Sequence, residues 1–310
     1  MKLSLFDLHC DTPYEMFQKK QQLGKNQLAV SLQKAAKFEQ YVQVAAFWCE
    51  KALSDEEGWA RFDALYQGFL SDPAFTRDDA KIIRFYPQNT ACRHLFIPAV
   101  EDLRILAGIE SRIDLLAQKG VRIVTPLWAG NSCIGGAHDT ENGLTDFGKQ
   151  VLPRALRLGM LLDISHASIA SADEIFDLCA RFDRPVLATH SNSYSACPVS
   201  RNLRDEQIRE VIRSGGLIGL NLYHRFIKAD GDASIDDLCL HIEKMLSLGA
   251  RDHLCIGSDF DGGEPLSEIP DLSALPRLAE TLLQKNYPER LVHKLFFENA
   301  HRFATQYFTM

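Results

Sequence analysis

Short apolar runs that alternate with helical patterns constrain the fold of this 310-residue chain more than any other feature. Each run is followed by a polar turn and then by apolar residues at helical spacing, which is typical of βαβ units around a parallel sheet. The eight runs cover residues 3–9, 41–48, 95–100, 121–127, 160–165, 185–189, 217–222 and 254–257. Three of the helical patterns stop at Gly120, Gly159 and Gly249, as expected where a left-handed glycine ends a helix before the next strand.

Eight strands that alternate with helices favour one closed barrel over an open sheet. No GxGxxG turn follows the first run, so we expect an α/β fold that is a single (β/α)8 TIM-type barrel, not a doubly wound dinucleotide-binding fold. No linker rich in Pro, Gly or Ser divides the chain, which predicts one domain over residues 1–310. Two segments fall outside the repeat, and we expect a helical excursion at 50–93 and C-terminal helices at 264–310.

The overall charge, the apolar windows and the cysteines indicate which partners and which compartment to expect. The formal net charge is -7, from 34 Lys and Arg against 41 Asp and Glu, which argues against a nucleic-acid partner because phosphate binding requires a basic face. Neither an 18-residue apolar window nor a secretory hydrophobic region fits the sequence, so no membrane partner is expected. The eight cysteines are dispersed without a CxxC pair, as is typical of reduced thiols. We therefore expect a cytoplasmic protein.

Polar side chains at the ends of five strands indicate where the chemistry lies. The two-residue period of a strand puts His9 and Asp11, at the end of the first run, on one face. The candidates from all five strands are His9, Asp11, Glu101, His166, His190 and Asp259. Singly, each fits a structural hydrogen bond at least as well as a metal ligand. Together at one rim of a barrel they would repel each other or leave dipoles unsatisfied without a cation, so the set predicts a metal site.

The number and type of these ligands indicate two metal ions. Five or six nitrogen and oxygen ligands without a thiolate exceed what one tetrahedral zinc accepts, and Glu101 is the candidate for a bridging carboxylate. Such a pair of ions lowers the pKa of a bridging water toward neutral and polarises the carbonyl that the resulting hydroxide attacks. The expected reaction is therefore hydrolysis and not redox chemistry.

Five motifs resemble those of the membrane (renal) dipeptidase family of zinc peptidases. They are DLHCDTP, AVED, LDISHAS, THSNSYSACPVSRNLRDEQI and IGSDFDG, which occur in the family's order between about residues 6 and 299. The resemblance implies an amidohydrolase-like barrel with two Zn2+ ions per chain. In that arrangement His9 and Asp11 bind one ion, His166 and His190 bind the other, and Glu101 bridges them. The resemblance also implies a homodimer.

The same resemblance implies two further roles. Asp259 would accept a proton from the attacking water and deliver it to the leaving amine, and Arg201 would hold the free carboxylate of a small dipeptide. A guanidinium fork suits a terminal carboxylate, which explains a preference for dipeptides over internal bonds. From the residues alone, the alternative for Arg201 is a surface arginine near Asp205 or Glu206. The alternative for Asp259 is a turn residue, although Asp261 suits that role better.

One position departs from the family pattern. Many members have a histidine after the fourth strand that helps to stabilise the tetrahedral intermediate, whereas this chain has Trp128 there. An indole N–H donates one hydrogen bond but carries neither a transferable proton nor a positive charge. Stabilisation of the oxyanion would then depend on the metal ions, or on Asn131 or His138. We accordingly expect Trp128 and Asn131 among the residues that bind substrate.

These observations leave three hypotheses of function. The first is a metal-dependent dipeptidase that hydrolyses the peptide bond of small dipeptides, including those with a D-residue on the carboxyl side. The second keeps the barrel but takes another amide, a lactam or an ester, and unchanged turnover after Arg201→Ala would favour it. The third is a metal-loaded binding or scaffold protein, motivated only by Trp128, and metal-dependent turnover that Asp259→Asn abolishes would exclude it.

Overall fold

The computed structural model, which describes residues 2–77, 79–87 and 90–308, contains one sheet of parallel strands. The strands are β1 Leu5–Cys10, β2 Tyr41–Trp48, β3 Lys81–Ile82, β4 His94–Glu101, β5 Ile123–Thr125, β6 Leu161–Asp163, β7 Val186–Leu187, β8 Ile218–Leu220 and β9 Leu254–Ile256. Their order is β7-β6-β5-β4-β2-β1-β9-β8, with β3 attached to β4. A bridge between Ala188, directly after β7, and Ile218 joins the two ends. The predicted eight-stranded (β/α)8 barrel is therefore confirmed.

Helices alternate with the barrel strands along the chain. They are α1 Thr12–Lys19, α2 Leu32–Ala35, α3 Asp55–Leu70, α4 Pro73–Thr76, α5 Ser111–Gln118, α6 Asp146–Arg157, α7 Ile169–Arg181, α8 Asp205–Arg213, α9 His224–Ile227, α10 Ile235–Ser247, α11 Pro276–Gln284, α12 Glu289–His293 and α13 Asn299–Tyr307. Hydroxyl caps set several of their starts: the Ser168 side chain accepts from the Ser171 amide, and that of Thr145 from the Gly148 amide. These caps satisfy amides at the starts of α7 and α6 that have no partner within the helix.

An apolar cluster fills the inside of the barrel. Seven of the eight barrel strands contribute to it, as does Leu217 directly before β8; Phe6, Val42, Leu95 and Leu187 are among its buried members, and α13 adds Phe303. Packing of this kind makes the interior of a TIM barrel a solid core and not a channel. The polar residues begin where this cluster ends, at the carboxyl ends of the strands.

A β-bulge in β1 turns His9 toward that end. Strict alternation would place Leu8 and His9 on opposite faces of the strand, yet Leu8 belongs to the interior cluster and His9 reaches the site above it. The pairing of β1 with β2 shifts between Asp7 and Cys10, and an extra residue in a strand re-aims the side chain beside it. The bulge therefore positions the first metal-ligand candidate.

Among the strands that are shorter than their apolar runs, β6 and β7 lose backbone pairing to a buried carboxylate. The runs 160–165 and 185–189 form only β6 and β7, of three and two residues. Asp163 Oδ1 accepts from the amides of Ser165 and Thr189, both at 2.9 Å. Those two N–H groups are thus satisfied outside the ladder.

The segment predicted as a helical excursion at 50–93, of which residues 78, 88 and 89 lie outside the described residues, is only partly helical in the remainder. It contains α3 and α4 and then β3, which pairs with β4 at Leu95 and Phe96. A two-residue strand is too short to produce a recognisable alternation. The predicted C-terminal helices are present as α11, α12 and α13, and residues 309–310 of that range lie outside the described residues. The expectation of one domain over 1–310 stays a prediction.

Two expectations from the sequence concern membrane-spanning helices and the state of the cysteines. Among the described helices, none has the combination of length and apolar composition that crossing a bilayer requires. All eight cysteines lie within the described ranges and are unpaired. Burial raises the pKa of Cys10 and raises that of Cys49 to about 12, so these groups stay as thiols at neutral pH.

Candidate metal centre

The predicted metal-ligand residues converge at the carboxyl end of the barrel. They come from β1 and β4 and from the segments that follow β1, β6, β7 and β9. One ligand atom each from His9, Glu101 and His190 lie within 4.8 Å of one another, and so do those of His9, Asp11 and Asp259. His166 joins the first group, with its Nε2 3.0 Å from that of His190. The structure therefore brings together residues that are up to 250 positions apart in the sequence.

The two carboxylate oxygens of Glu101 face different groups of ligands. Oε1 lies 3.0 Å from His166 Nε2 and 3.3 Å from His190 Nε2. Oε2 lies 3.7 Å from His9 Nε2, which in turn is 3.3 Å from Asp11 Oδ2. A carboxylate divided in this way between two groups of ligands has the geometry of a bridge.

The hydrogen bonds of His166 and His190 indicate that neither Nε2 atom carries a proton. His166 Nδ1 lies 3.0 Å from the backbone oxygen of Trp128, which only accepts, so Nδ1 carries the proton. His190 Nδ1 lies 2.7 Å from the Thr189 hydroxyl. That hydroxyl donates to Asp163 Oδ2 at 2.5 Å and therefore accepts from His190.

Three acceptor atoms consequently meet at one point: the Nε2 atoms of His166 and His190 and Oε1 of Glu101. Lone pairs 3.0 Å apart repel one another unless a cation lies among them. The buried atoms Glu101 Oε1 and Asp11 Oδ1 also have no hydrogen-bond donor in the described structure. The residues present thus fit a metal centre.

The pKa values of these groups show the same excess of negative charge. Burial raises the pKa of Glu101 well above its usual range, and the charge of Asp11 raises it further. Burial alone would lower the pKa of His9, but the carboxylates of Glu101 and Asp11 raise it to about 10. Burial lowers the pKa of both His166 and His190 well below the usual value, so these two imidazoles are neutral. His166 and His190 are therefore in the form that binds metal ions, whereas His9 would release its proton when a cation supplies the positive charge among these carboxylates.

Two residues of the cluster have backbone conformations that side chains rarely adopt. His166 has φ 68° and Asp259 has φ 59°. Left-handed backbone in residues other than glycine costs free energy and concentrates at functional sites. The sequence gives no sign of either conformation, since neither position is a glycine.

Asp259 lies beside the metal-ligand cluster and is held by an amide. Asn221 Nδ2 donates to Asp259 Oδ2 at 2.9 Å and also lies 3.2 Å from the backbone oxygen of His190. Burial raises the pKa of Asp259 to about 6, although the charge of His9 lowers it. Asp261 instead accepts from the Thr12 hydroxyl at 2.6 Å and the Ala29 amide at 2.7 Å. Asp261 thus tethers the loop, as the sequence predicts for this residue and not for Asp259.

Arg201 is buried next to His190 and does not lie on the surface. Its side chain donates to Ser191 Oγ at 3.0 Å and to the backbone oxygen of His190 at 2.9 Å, while its buried Nε has no described acceptor. The residue is 3% exposed. Asp205 pairs with Lys244 at 2.7 Å, so the alternative of a surface ion pair for Arg201 is wrong.

The structure places the three candidates for binding the substrate or stabilising the oxyanion in different surroundings. The Trp128 ring lines the cavity above the cluster, 6.4 Å from the His166 ring. His138 also lines it, with its ring 5.8 Å from that of His166 and Nδ1 3.0 Å from Ser200 Oγ. Asn131 does not line it, because a turn pairs Asn131 with Gly136 and its side chain accepts from Asn142 at 2.9 Å. The structure therefore does not place Asn131 at the cavity that Trp128 and His138 line.

Sequence reasoning missed several residues that shape this site. Asn221 is not among the predicted residues, although a polar side chain directly after a buried apolar strand is the signal that identifies the others. Asp7 accepts from the amides of His9 and Ser258 at 3.2 and 2.8 Å. Asp7 and Asp163 stand two and three positions before ligand candidates, and their role in holding the ligand-bearing backbone follows only from the contacts.

Two cavities meet at the cluster. The first, of about 390 Å³, is lined by Asp11, Glu101, Asp259 and aromatic side chains. The second, of about 430 Å³, is lined by Arg201 and Arg204, and the two cavities share His138 and His166. Volumes in this range are typical of small-molecule sites. We call them the carboxylate-lined cavity and the arginine-lined cavity.

A closed (β/α)8 barrel with His and carboxylate ligands clustered at the carboxyl ends of its strands defines the class of metal-dependent hydrolases. Within that class, the chain belongs to the membrane dipeptidase family (peptidase family M19), a family of metallopeptidases, whose sequence pattern matches residues 1–308. The resemblance drawn from the five motifs is confirmed.

Three comparisons place the chain among known proteins. It is 34% identical over 192 residues, or 58% of this chain and 70% of the relative, to an uncharacterised protein in the pqqA 5′ region of Klebsiella pneumoniae. A metallopeptidase from Rhodobacter sphaeroides, liganded with a phosphinate mimic of the dipeptide L-Ala-D-Ala, superposes with a TM-score of 0.89 at 23% identity, covering 99% of this chain and 100% of the other. Dipeptidase AC superposes with a TM-score of 0.90 at 24% identity, covering 100% of both chains. At these identities the two solved structures establish the fold.

Proposed function

We propose that this protein is a dipeptidase that binds two Zn2+ ions and hydrolyses the peptide bond of small dipeptides. The observation that carries the proposal is the division of Glu101 between two groups of ligands, with Oε1 3.0 Å from His166 and Oε2 3.7 Å from His9. Membership of the membrane dipeptidase family supports the substrate class. The phosphinate mimic of L-Ala-D-Ala on the Rhodobacter sphaeroides protein supports including a D-residue on the carboxyl side.

The chain supplies a separate set of ligands for each ion. His9 and Asp11 would hold one ion, His166 and His190 the other, and Glu101 would contribute one oxygen to each. When bound, the two ions would activate a water for attack and polarise the peptide carbonyl. Zinc suits this mixture of imidazole and carboxylate ligands, which contains no thiolate.

Asp259 would move the proton in this reaction. It lies within 4.8 Å of the ligand atoms of His9 and Asp11, and Asn221 fixes one of its oxygens at 2.9 Å. A carboxylate so placed accepts a proton from the attacking water and delivers it to the leaving amine nitrogen. The pKa of about 6 that burial gives Asp259 suits a group that takes up and releases a proton near neutral pH.

Arg201 would bind the carboxylate of the substrate. Its guanidinium has five N–H donors, of which the described contacts use two, and the residue lines the arginine-lined cavity. A buried positive charge with an unpaired Nε favours an anion at this position. The dipeptide would then extend from the arginine-lined cavity across the metal centre into the carboxylate-lined cavity.

Hydrolysis assays with metal control test this function. Protein with two zinc equivalents should hydrolyse Ala-Ala and Ala-D-Ala, lose that activity with 1,10-phenanthroline, and recover it with zinc. Ala-Ala amide should be a poor substrate because it offers Arg201 no carboxylate. Zinc-loaded protein that leaves all three compounds intact would refute the proposal, and equal hydrolysis of the amide would refute the role of Arg201.

In the family pattern, a histidine at the position of Trp128 helps to stabilise the tetrahedral intermediate. We expect His138 to donate that hydrogen bond in this protein. Burial lowers the pKa of His138 to about 4, so it acts as a neutral donor. We expect His138→Ala to lower kcat about 100-fold, as for loss of an oxyanion donor, with zinc content unchanged. Asn131→Ala, outside the cavity, should stay within about twofold of the parent protein. Equal kcat values for the two variants would contradict this role.

A further inference from the structure

The carboxylate-lined cavity has two aromatic walls that face each other across the barrel mouth. Trp48 ends β2 and Trp128 follows β5, and their ring centroids lie 4.9 Å apart, with Tyr14 another 4.9 Å from Trp48. Tyr223 follows β8, and its ring is 4.7 Å from that of Phe226. In the closed strand order, β8 lies directly opposite β4, which separates β2 from β5. A side chain that enters the cavity therefore passes between two aromatic faces.

Each wall carries an acidic residue beside its tyrosine. Glu15 follows Tyr14 on α1, and Glu264 lines the cavity next to Tyr223. Lys19, with its side chain 57% exposed, lies 2.6 Å from Glu15, and Glu264 has a contact of 3.8 Å with His224. No lysine or arginine is among the described residues that line this cavity. The walls therefore combine aromatic rings with a carboxylate each, that of Glu15 being paired with an exposed lysine.

The two arginines at the site line the other cavity, together with Glu141 and Asp173. The two cavities share only His138 and His166 among their described lining residues, although the Arg201 guanidinium also lies 5.5 Å from the ring of Phe226, which lines the carboxylate-lined cavity. A dipeptide whose carboxylate is held by Arg201 places its amino-terminal residue in the carboxylate-lined cavity. Arg201 thus suits the carboxylate end of a dipeptide, and the acidic residues of the carboxylate-lined cavity suit a cationic group at the other end.

We propose that the protein prefers dipeptides whose amino-terminal residue has a cationic side chain, lysine or arginine. The inference rests on the proposed dipeptidase function and specifies its substrate class. The alkyl stem of such a side chain packs on the aromatic faces, and its charged end is attracted by the ring faces and by Glu15 and Glu264. An acidic side chain at the same position meets charge of its own sign.

Matched dipeptides test this preference in the zinc-loaded protein. Lys-Ala, norleucine-Ala and Glu-Ala compare positive, neutral and negative side chains of similar length. We expect kcat/KM for Lys-Ala to exceed that for norleucine-Ala about fivefold and Glu-Ala to be slowest. The ratio of Lys-Ala to norleucine-Ala should fall in 0.5 M NaCl, since salt screens the attraction. Ala-Lys should show no such gain over Ala-norleucine.

Substitutions locate the source of the preference. The double variant Glu15→Gln, Glu264→Gln should bring the Lys-Ala to norleucine-Ala ratio toward one. Glu206→Gln, an equal charge change on a residue whose side chain is 80% exposed on α8, should leave that ratio unchanged. Hydrolysis of norleucine-Ala at least as efficient as that of Lys-Ala would overturn the inference and leave the dipeptidase function standing. Absence of hydrolysis for every dipeptide would overturn both.

Discussion

Glu101→Gln will lower kcat for dipeptide hydrolysis by at least about a thousandfold and reduce bound zinc from two ions to at most one per chain. The substitution removes the charge that both groups of ligands share, and it places an amide N–H₂ where one carboxylate oxygen faces an imidazole Nε2 atom. Zinc content by mass spectrometry and kcat on Ala-Ala measure the two effects.

Asp102→Asn is the matched control for this result. Asp102 is the next residue along the chain and is equally buried, but its oxygens accept from the backbone and side chain of Arg104. Asp102→Asn should therefore lower the melting temperature and still bind two zinc ions. A Glu101→Gln protein that retains two zinc ions and the parental kcat would rule out the bridging role.

Asp259→Asn should lower kcat by about a hundredfold to ten-thousandfold while the protein keeps both zinc ions. An amide has nearly the shape of the carboxyl group and still makes a hydrogen bond with Asn221, but it cannot accept the proton of the attacking water. The loss should appear in kcat more than in KM, because the proton moves in the transition state. Steady-state kinetics with zinc analysis separate these outcomes.

Asp261→Asn distinguishes this effect from a structural one. Asp261 lies two positions further on and tethers the loop through Thr12 and Ala29. Its substitution should lower stability by about 1 to 3 kcal/mol, as expected for a weakened buried network, with kcat within about twofold of the parent. Loss of a zinc ion in Asp259→Asn would show that Asp259 is a ligand and would contradict the assignment of proton transfer to it.

The sequence predicted the barrel because its strands are buried on both faces. Such strands appear in the sequence as continuous runs of apolar residues. The prediction was less accurate where side chains replace backbone pairing. Asp163 takes the amides of Ser165 and Thr189 and ends two strands early, and a carboxylate in an apolar run does not reveal which amides it will accept. β3 was missed because two residues cannot show a period.

The metal-ligand candidates were predictable because the carboxyl ends of parallel strands meet at one end of the barrel. The side chains of the connecting segments were not, since their positions depend on turns with no periodic signature. Thus Asn131 is held away from the cavity by its pairing with Gly136 and Asn142, whereas His138 reaches it. The same limit applies to Asn221, whose contact with Asp259 joins positions 38 residues apart.

Anomalous diffraction at the zinc edge from crystals of the zinc-loaded protein tests the central claim most directly. We predict two peaks per chain, one among His9, Asp11 and Glu101 and the other among Glu101, His166 and His190. A single peak, or peaks remote from Glu101, would contradict a two-ion centre bridged by that carboxylate.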